Sequence, residues 1–597
     1  MIAVGVGLRL AFISVYPTLP FWDSRALVHF ASLIRQHGLA AEGWYWAQLN
    51  SGLPMILAAL FRFAPGDPIP VARAATAVAT GLVAVIPFVL WRPVLAFRWR
   101  LLAGALLALW PGQIFFSGVV AQDNWVLLPV IGLASLAARR LLEQGRGHPV
   151  AGGLLYAAAI GIRQEMMIVL LPVVLAASID WNEARRFRRD LSRLGIIVFL
   201  SLLALGTQRF LATGRASLTT EHGALGLFGS FMPGASDPGW IDARAYATAV
   251  DPQAPRALFG NQRTLLRMTW EEVKRRPGFH FVRIAAWLPR LALNSDADNL
   301  LWSVGAPQSQ ADGRQADAQA FQRRWAPRLR WELGIVQGLF VMTVLIGLQR
   351  RNAAILVLSS AVLLKFMVHM VVSPLGRLLV PAVALELLTI PLGVRALASG
   401  SLRIRLAAIA GTAATCLLLV LGVPSLADFV VRHDSPVLQG IRQFNLRVDD
   451  EGVVQCELGQ GVLTGIGPHW ATLRTAREEP VPGDVAQAVC ATPALEPGET
   501  LVLNAQDPYT PGGMGAPRTE RILVDGREVF RRQMTGDGAQ AERNIGSKDP
   551  VGQPASVVSI EILASSGQAV GTRGRDASLR FEFARTASAG VPLTRSQ

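Results

Sequence analysis

Charge is scarce in this sequence. Only 17% of its 597 residues are Asp, Glu, Lys or Arg, against about 25% in an average soluble protein. Lysine is reduced to Lys274, Lys365 and Lys548, and cysteine to Cys416, Cys456 and Cys490. Chemical fingerprints are missing as well. The chain contains no phosphate-cradling P-loop, no Gly-rich dinucleotide turn, no His-Glu-x-x-His and no Cys/His zinc spacing. These absences argue against an ATP-driven pump. No matched pair of Gly/Pro-broken segments marks an inverted-repeat transporter.

What is present is apolar. Hydrophobic residues make up 51% of the chain and the mean hydropathy is +0.36. The apolar runs recur at lengths of roughly 17–22 residues, each enough to cross a bilayer, so the sequence reads as a polytopic helical membrane protein. The net charge of +15 is not spread evenly: residues from Leu421 onward carry −4 and the preceding ones +19. Positive charge belongs to the membrane part, which speaks against nucleic acid as a partner. It gathers in five short loops, at Arg92/Arg98/Arg100, Arg139/Arg140/Arg146, the run Arg185 to Arg193, Arg350/Arg351 and Arg395/Arg403/Arg405, while the alternate loops are nearly free of it. The positive-inside rule makes the five loops cytoplasmic. One path then fits, with eleven spans near 1–17, 70–91, 101–118, 124–141, 149–162, 166–179, 194–211, 333–348, 353–371, 378–395 and 404–423. It puts the N-terminus inside and the C-terminus outside. Segment 1–17 is read as a retained span rather than a signal-peptide core, because it holds the loop that follows.

That loop, 18–69, contains Phe21-Trp22-Asp23-Ser24. Asp23 is a carboxylate at the membrane surface, suited to act as a general base. Leu27, Phe30, Ala31 and Ile34 recur at helical spacing and predict a helix lying in the interface. Trp44-Tyr45-Trp46 is an aromatic cluster of headgroup level. Ser51 to Phe63, between Pro54 and Pro65, predicts a second interfacial helix.

Further along, charged residues stand at membrane depth, where they are costly and usually functional. Asp123 opens a span, and either caps its helix or serves a site. Arg163 and Glu165 stand together between two spans, as a local ion pair or as site residues. Lys365 and His369, four apart, share a helix face; Lys365 either snorkels or lines a pocket. Arg377 opens the next span from the same outer side. Arg163, Lys365 and Arg377 together would make an electropositive pocket for a lipid phosphate, with Glu165 and His369 in support. The long outer loop 212–330 holds Pro233, Pro238, Pro252 and Pro255, a helical stretch from Thr264 to Arg276, and Asp296-Ala297-Asp298. Such a pair of acids can hold a divalent ion, but no metal is favoured. Beyond Pro424 the runs Thr500–Asn504, Arg521–Val524, Ser556–Ile562 and Ser578–Phe583 alternate as short strands, with Asp525-Gly526 as a turn. They predict a β-sandwich over 424–597, in which Cys456 and Cys490 either bridge in an oxidising compartment or stay as buried thiols.

The order of these features resembles the GT-C glycosyltransferases, in particular the bacterial branch related to protein O-mannosyltransferases and aminoarabinose lipid A transferases. The resemblance runs over residues 1–423. It is carried by Phe21-Trp22-Asp23 after the first span, Ser51-Gly52-Leu53-Pro54, Arg163-Gln164-Glu165 leading to Pro172, and Arg377 leading to Pro381. The first loop has no acid beside Asp23, unlike relatives with paired acids there, and Leu378 replaces a common aromatic. The resemblance implies an enzyme of the bacterial inner membrane working on the periplasmic side. It would transfer a sugar from a polyprenyl-phosphate donor to a glycan, glycolipid or protein acceptor, with inversion and without a cofactor. Asp23 and Asp123 would be catalytic, and Arg163, Lys365 and Arg377 would hold the donor phosphate. The alternatives are a ligase or polymerase using polyprenyl-diphosphate glycans, and a lipid-linked sugar translocase or export component without chemistry.

Overall fold

The computed structural model describes residues 1–18, 22–39, 50–63, 66–181, 183–214, 222–231, 262–275, 277–304, 315–372, 376–398 and 402–417, and strand segments between 442 and 587. The chain is mostly helical with a C-terminal sheet region. It divides into two compact units. One holds residues 1–222 and 281–430, the other 223–280 and 431–597.

The helical unit starts with α1 (Ile2–Val15), α2 (Trp22–His37), α3 (Gly52–Phe61), α4 (Pro68–Leu82), α5 (Val85–Leu90), α6 (Phe97–Leu109) and α7 (Pro111–Phe116). It continues with α8 (Gln122–Trp125), α9 (Leu127–Glu143), α10 (Pro149–Ile162), α11 (Met166–Val169), α12 (Leu171–Ser178) and α13 (Ala184–Thr213). Helices α14 (His222–Phe231) and α15 (Gln262–Arg275) follow in the chain and belong to the second unit; the helical unit resumes within α16 (Pro277–Val304) and continues through α17 (Gln315–Gln349), α18 (Ala353–Val372), the 3₁₀ turn Gly376–Leu379, α19 (Val380–Ala398) and α20 (Leu402–Leu417). Among the described residues six helices are long and apolar enough to cross a membrane: Pro68–Leu90, Gln122–Glu143, Ala184–Ala212, Arg323–Gln349, Ala353–Val372 and Arg377–Ala398. Ile2–Val15 and Pro149–Ile162 are apolar but shorter.

Local chemistry sets the ends. Asp67 caps α4, its carboxylate accepting from the Ile69 N–H at 3.0 Å, with Pro68 in the first turn. Asn352 caps α18 in the same way, accepting from Ile355 N–H at 3.2 Å. Gly214, at φ +68°, ends α13. Small residues set the spacing: a Cβ on Gly81 of α4 would lie 2.8 Å from the backbone of Val6 in α1, so the two backbones touch. Arg9 is fully buried, yet its guanidinium donates to the carbonyls of Gly5, Leu107 and Ala108 at 2.8–3.1 Å, which ties α1 to the end of α6.

Two expectations change. The stripe Leu27, Phe30, Ala31 and Ile34 is buried inside the protein with Leu53, Leu57 and Phe61 of α3. Helices α2 and α3 cover each other's apolar faces instead of resting on lipid through them. Asp296, expected in a loop, lies within α16. Its buried side chain accepts from Trp110 Nε1 at 2.6 Å. The side chain of Asp298 lies outside the described residues, as do Trp44-Tyr45-Trp46 and the four prolines of the 212–330 segment.

The second unit is built on two antiparallel sheets. The larger has the order β1 (Gln443–Arg447), β2 (Val453–Gln460), β5 (Val485–Ala491), β10 (Val557–Ala564), β7 (Arg518–Val524), β8 (Arg527–Met534). The smaller runs β3 (Val462–Ile466), β4 (Trp470–Arg474), β11 (Ser578–Ala587), β6 (Glu499–Gln506), β9 (Gln540–Gly546). Alternate residues of both sheets, among them Leu446, Leu473, Leu503, Ile560 and Phe581, share one apolar core. Asp525 and Gly526, both at positive φ, make the tight β7–β8 turn. Cys456 and Cys490 face each other across β2 and β5, with Cα atoms 4.0 Å apart, and are joined in a disulfide. The division falls differently from the expected boundary at 424. Ala224 and Phe228 of α14 and Leu265 of α15 pack into the same core as the strands, so part of the 212–330 segment belongs to this unit.

Candidate functional site

One ion cluster draws together charged residues from three stretches of the helical unit. Asp123 sits in the single turn α8. Ala121 holds the capping position there, so the Asp123 carboxylate is not the cap. It accepts from Arg163 Nη2 at 2.6 Å. Arg163 ends α10 in an extended conformation, and its Nε lies 3.0 Å from Glu165 Oε1. The same Glu165 oxygen accepts from Lys365 Nζ at 3.0 Å and stands 3.9 Å from His369 Nε2. Lys365 is fully buried, whereas the Arg163 and Glu165 side chains are 15% and 22% exposed, so the cluster opens at its Arg–Glu end.

The helical spacing of Lys365 and His369 delivers both to Glu165, and Lys365 does not snorkel. Burial alone would raise the Glu165 carboxyl pKa. Arg163, Lys365 and His369 outweigh it and hold that carboxyl well below the usual carboxylate range. The two acids and two strong bases compensate one another. Arg163 and Lys365 are therefore engaged by carboxylates rather than presented as bare positive charge. Arg377 stands half-buried on the 3₁₀ turn that follows α18. Asp23 falls in α2, but its side chain lies outside the described residues.

Neighbours hold the cluster in place: the flanking Gln122, Asn124 and Trp125, which the sequence marks along with Asp123, and residues it does not mark, Asn50, Thr76, Gln113 and Arg209. Asn124 donates to the carbonyls of Phe116 at 3.0 Å and Val119 at 2.7 Å and accepts from Gln113 at 2.8 Å. Trp125 Nε1 donates to Thr76 at 3.0 Å. Asn50, just before α3, donates to the Ile162 carbonyl at 3.2 Å and accepts at its own carbonyl from Gln122 at 3.3 Å. Its side-chain oxygen accepts from buried Arg209 at 3.3 Å. Asn50 thus touches the residue before Asp123 and the residue before Arg163. Beside it, a Cβ on Gly52 would come within 2.4 Å of the Gly161 carbonyl oxygen. That close approach was signalled only by the Ser-Gly-x-Pro spelling. Glu386 was also missed. It is buried in α19, where both its oxygens accept from Gln337 at 2.8–3.0 Å. A lone acid inside an apolar span is the same signal that marked Lys365.

Fold and site together define a membrane-type helical protein carrying an ion cluster at one end of its helices and a disulfide-linked sheet unit. No protein-family model matches the chain, and no curated protein matches it in sequence. Among the described residues no group of three or more His, Cys, Asp and Glu is placed to hold a metal ion.

Proposed function

We propose that this protein is an integral membrane glycosyltransferase, moving a sugar from a polyprenyl-phosphate donor to a cell-envelope acceptor outside the cytoplasm. The observation that carries the reading is the convergence of Asp123, Arg163, Glu165, Lys365 and His369 at one end of the helices. Asn50 ties that cluster to the same 18–69 segment that carries Asp23. A polyprenyl phosphate is a workable leaving group when fixed cations meet its developing charge. Arg163, at the open end of the cluster, supplies a guanidinium already oriented by two acids, and Arg377 supplies a second. Asp123, tied to Arg163, acts as the orienting acid, while Asp23 takes the proton from the acceptor hydroxyl. Direct displacement then inverts the anomeric carbon.

In this reading the eleven apolar segments are spans, with N-terminus inside and C-terminus outside in a bacterial inner membrane. The two sheets sharing one core form a periplasmic β-sandwich that engages the glycan acceptor, and its disulfide suits that oxidising side. The test is turnover by purified protein in liposomes supplied with polyprenyl-phosphate sugar and envelope glycolipid. A general base contributes about 10²–10⁴-fold, so Asp23→Asn should leave a trace of activity with the fold intact. Near-normal turnover by Asp23→Asn would overturn the assignment. Mass spectrometry of envelope glycans with and without the gene identifies sugar and acceptor.

A further inference from the structure

A different feature lies at the start of α18, the helix that carries Lys365 and His369 of the ion cluster. A cavity of about 590 Å³ is lined by Arg98, Trp99, Leu142, Arg350, Leu392 and Arg395. These come from the start of α6, the end of α9, the link between α17 and α18, and the end of α19. The volume falls within the roughly 300–1,000 Å³ of small-ligand sites. Its lining includes three arginines and no acid. The nearest acid in sequence, Glu143, is engaged by Arg139 at 3.2 Å. The Asn352 side chain at the rim is committed to capping α18. Arg98 lies 5.0 Å from the centre of the Trp99 ring, and Leu392 is buried beneath.

Basic residues at this end of the helices are accounted for by topology alone only as long as they are spread along the rim. Here three exposed arginines, far apart in the chain, converge on one concavity beside the buried Leu392, where their guanidinium groups can act together on one anion. Guanidinium groups present planar forks that match phosphate oxygens in pairs. Position narrows the ligand. Along α18, Asn352 and Lys365 are thirteen residues apart, a rise of roughly 20 Å, and Arg377 to Arg395 spans roughly 27 Å. With a hydrocarbon core about 30 Å thick, the cavity opens at the membrane surface opposite the ion cluster, and Trp99 sits where interfacial aromatics gather.

We infer that this cavity is a binding site for a phosphate-bearing anion at the opposite membrane surface, held by Arg98, Arg350 and Arg395 with Trp99 at its edge. The same chemistry is offered by an anionic phospholipid headgroup of that leaflet and by a soluble phosphate compound. The inference does not depend on the transferase reading, and its test does not measure transfer.

Full-length protein in neutral detergent is titrated with dioctanoyl phosphatidylglycerol, dioctanoyl phosphatidylcholine and inorganic phosphate at low salt. Saturable binding of phosphatidylglycerol but not phosphatidylcholine identifies a lipid headgroup. Saturable binding of inorganic phosphate with equal or greater affinity identifies a soluble ligand. In either case Arg395→Gln should weaken binding by at least about tenfold, the scale of one lost charge-assisted hydrogen bond. The triple change of Arg98, Arg350 and Arg395 to Gln should abolish it. The triple Arg→Lys variant keeps the charge and should stay closer to wild type, which separates loss of the site from loss of the fold. No saturable binding of either phosphate probe overturns the inference, as does affinity unchanged in Arg395→Gln and in the triple Gln variant.

Discussion

At the scale of single residues, the Glu165–Lys365 contact decides how the cluster responds to change. Lys365 has no exposed surface, so its ammonium depends on Glu165 at 3.0 Å. Removing one partner of a buried pair costs about 3–5 kcal/mol because the other charge is stranded. Glu165→Gln should therefore lower the melting temperature more than Lys365→Met, since Glu165 keeps Arg163 and some water when the lysine is gone. The double change should recover part of the loss. Proton linkage adds a second expectation. The Glu165 carboxyl titrates below its ordinary range, so its contribution is present above the ordinary glutamate pKa of about 4.3 and is lost as pH falls below it. The stability gap between wild type and Glu165→Gln should hold constant from neutral pH to about 5 and shrink in more acid buffer. The sequence marked every member of this cluster, because charge at membrane depth is rare enough to stand out. It did not mark Asn50 or Gln113. Neutral amides are common in loops, and only the folded chain shows which of them are buried and bonded to the site.

Among the elements, close packing at glycine carries most of the fit. A Cβ at Gly52 would meet the Gly161 carbonyl oxygen at 2.4 Å, and backbone on both sides leaves little room to yield. Gly52→Ala should push the Asn50 segment away from α10 and depress activity and melting temperature together. Gly195, on α13, has nothing within 4 Å of the same position, and Gly195→Ala should leave activity unchanged and hold or slightly raise the melting temperature. Helices and strands were readable from period and length: each expected apolar segment contains helix, and all four strand runs are strands. The partners of α2 and α3 were not readable. An amphipathic stripe looks the same whether it meets lipid or another helix, and here Leu27 and Phe30 meet the protein. Asp296 shows the same limit, since an Asp-x-Asp spelling says nothing about a tryptophan 186 positions away.

For the whole molecule, the sheet unit depends on a cross-link that the helical unit lacks. Closing the 34-residue separation between Cys456 and Cys490 typically stabilises by about 2–5 kcal/mol. Reduction, or Cys456→Ser with Cys490→Ser, should lower the melting of that unit and leave the helical one nearly unchanged. The cysteine pair was legible as one of two options. The discontinuity of the unit was not, because the residues of α14 and α15 that enter the strand core are few and ordinary.

That discontinuity fixes a parity. Residues 223–280 and 431–597 make one compact body, and no bilayer can pass through it, so both must emerge on the same side of the membrane. The chain between them must cross an even number of times. Among its described residues three helices, Arg323–Gln349, Ala353–Val372 and Arg377–Ala398, are long and apolar enough to cross. In the proposed topology an odd count would strand the last segment on the wrong side, and the segment that begins with Leu402–Leu417 supplies the fourth crossing. Cysteines placed at exposed Arg263 and Arg527 should react with a membrane-impermeant maleimide from the same face of sealed vesicles. Reaction from opposite faces would break the parity and the four-crossing count with it.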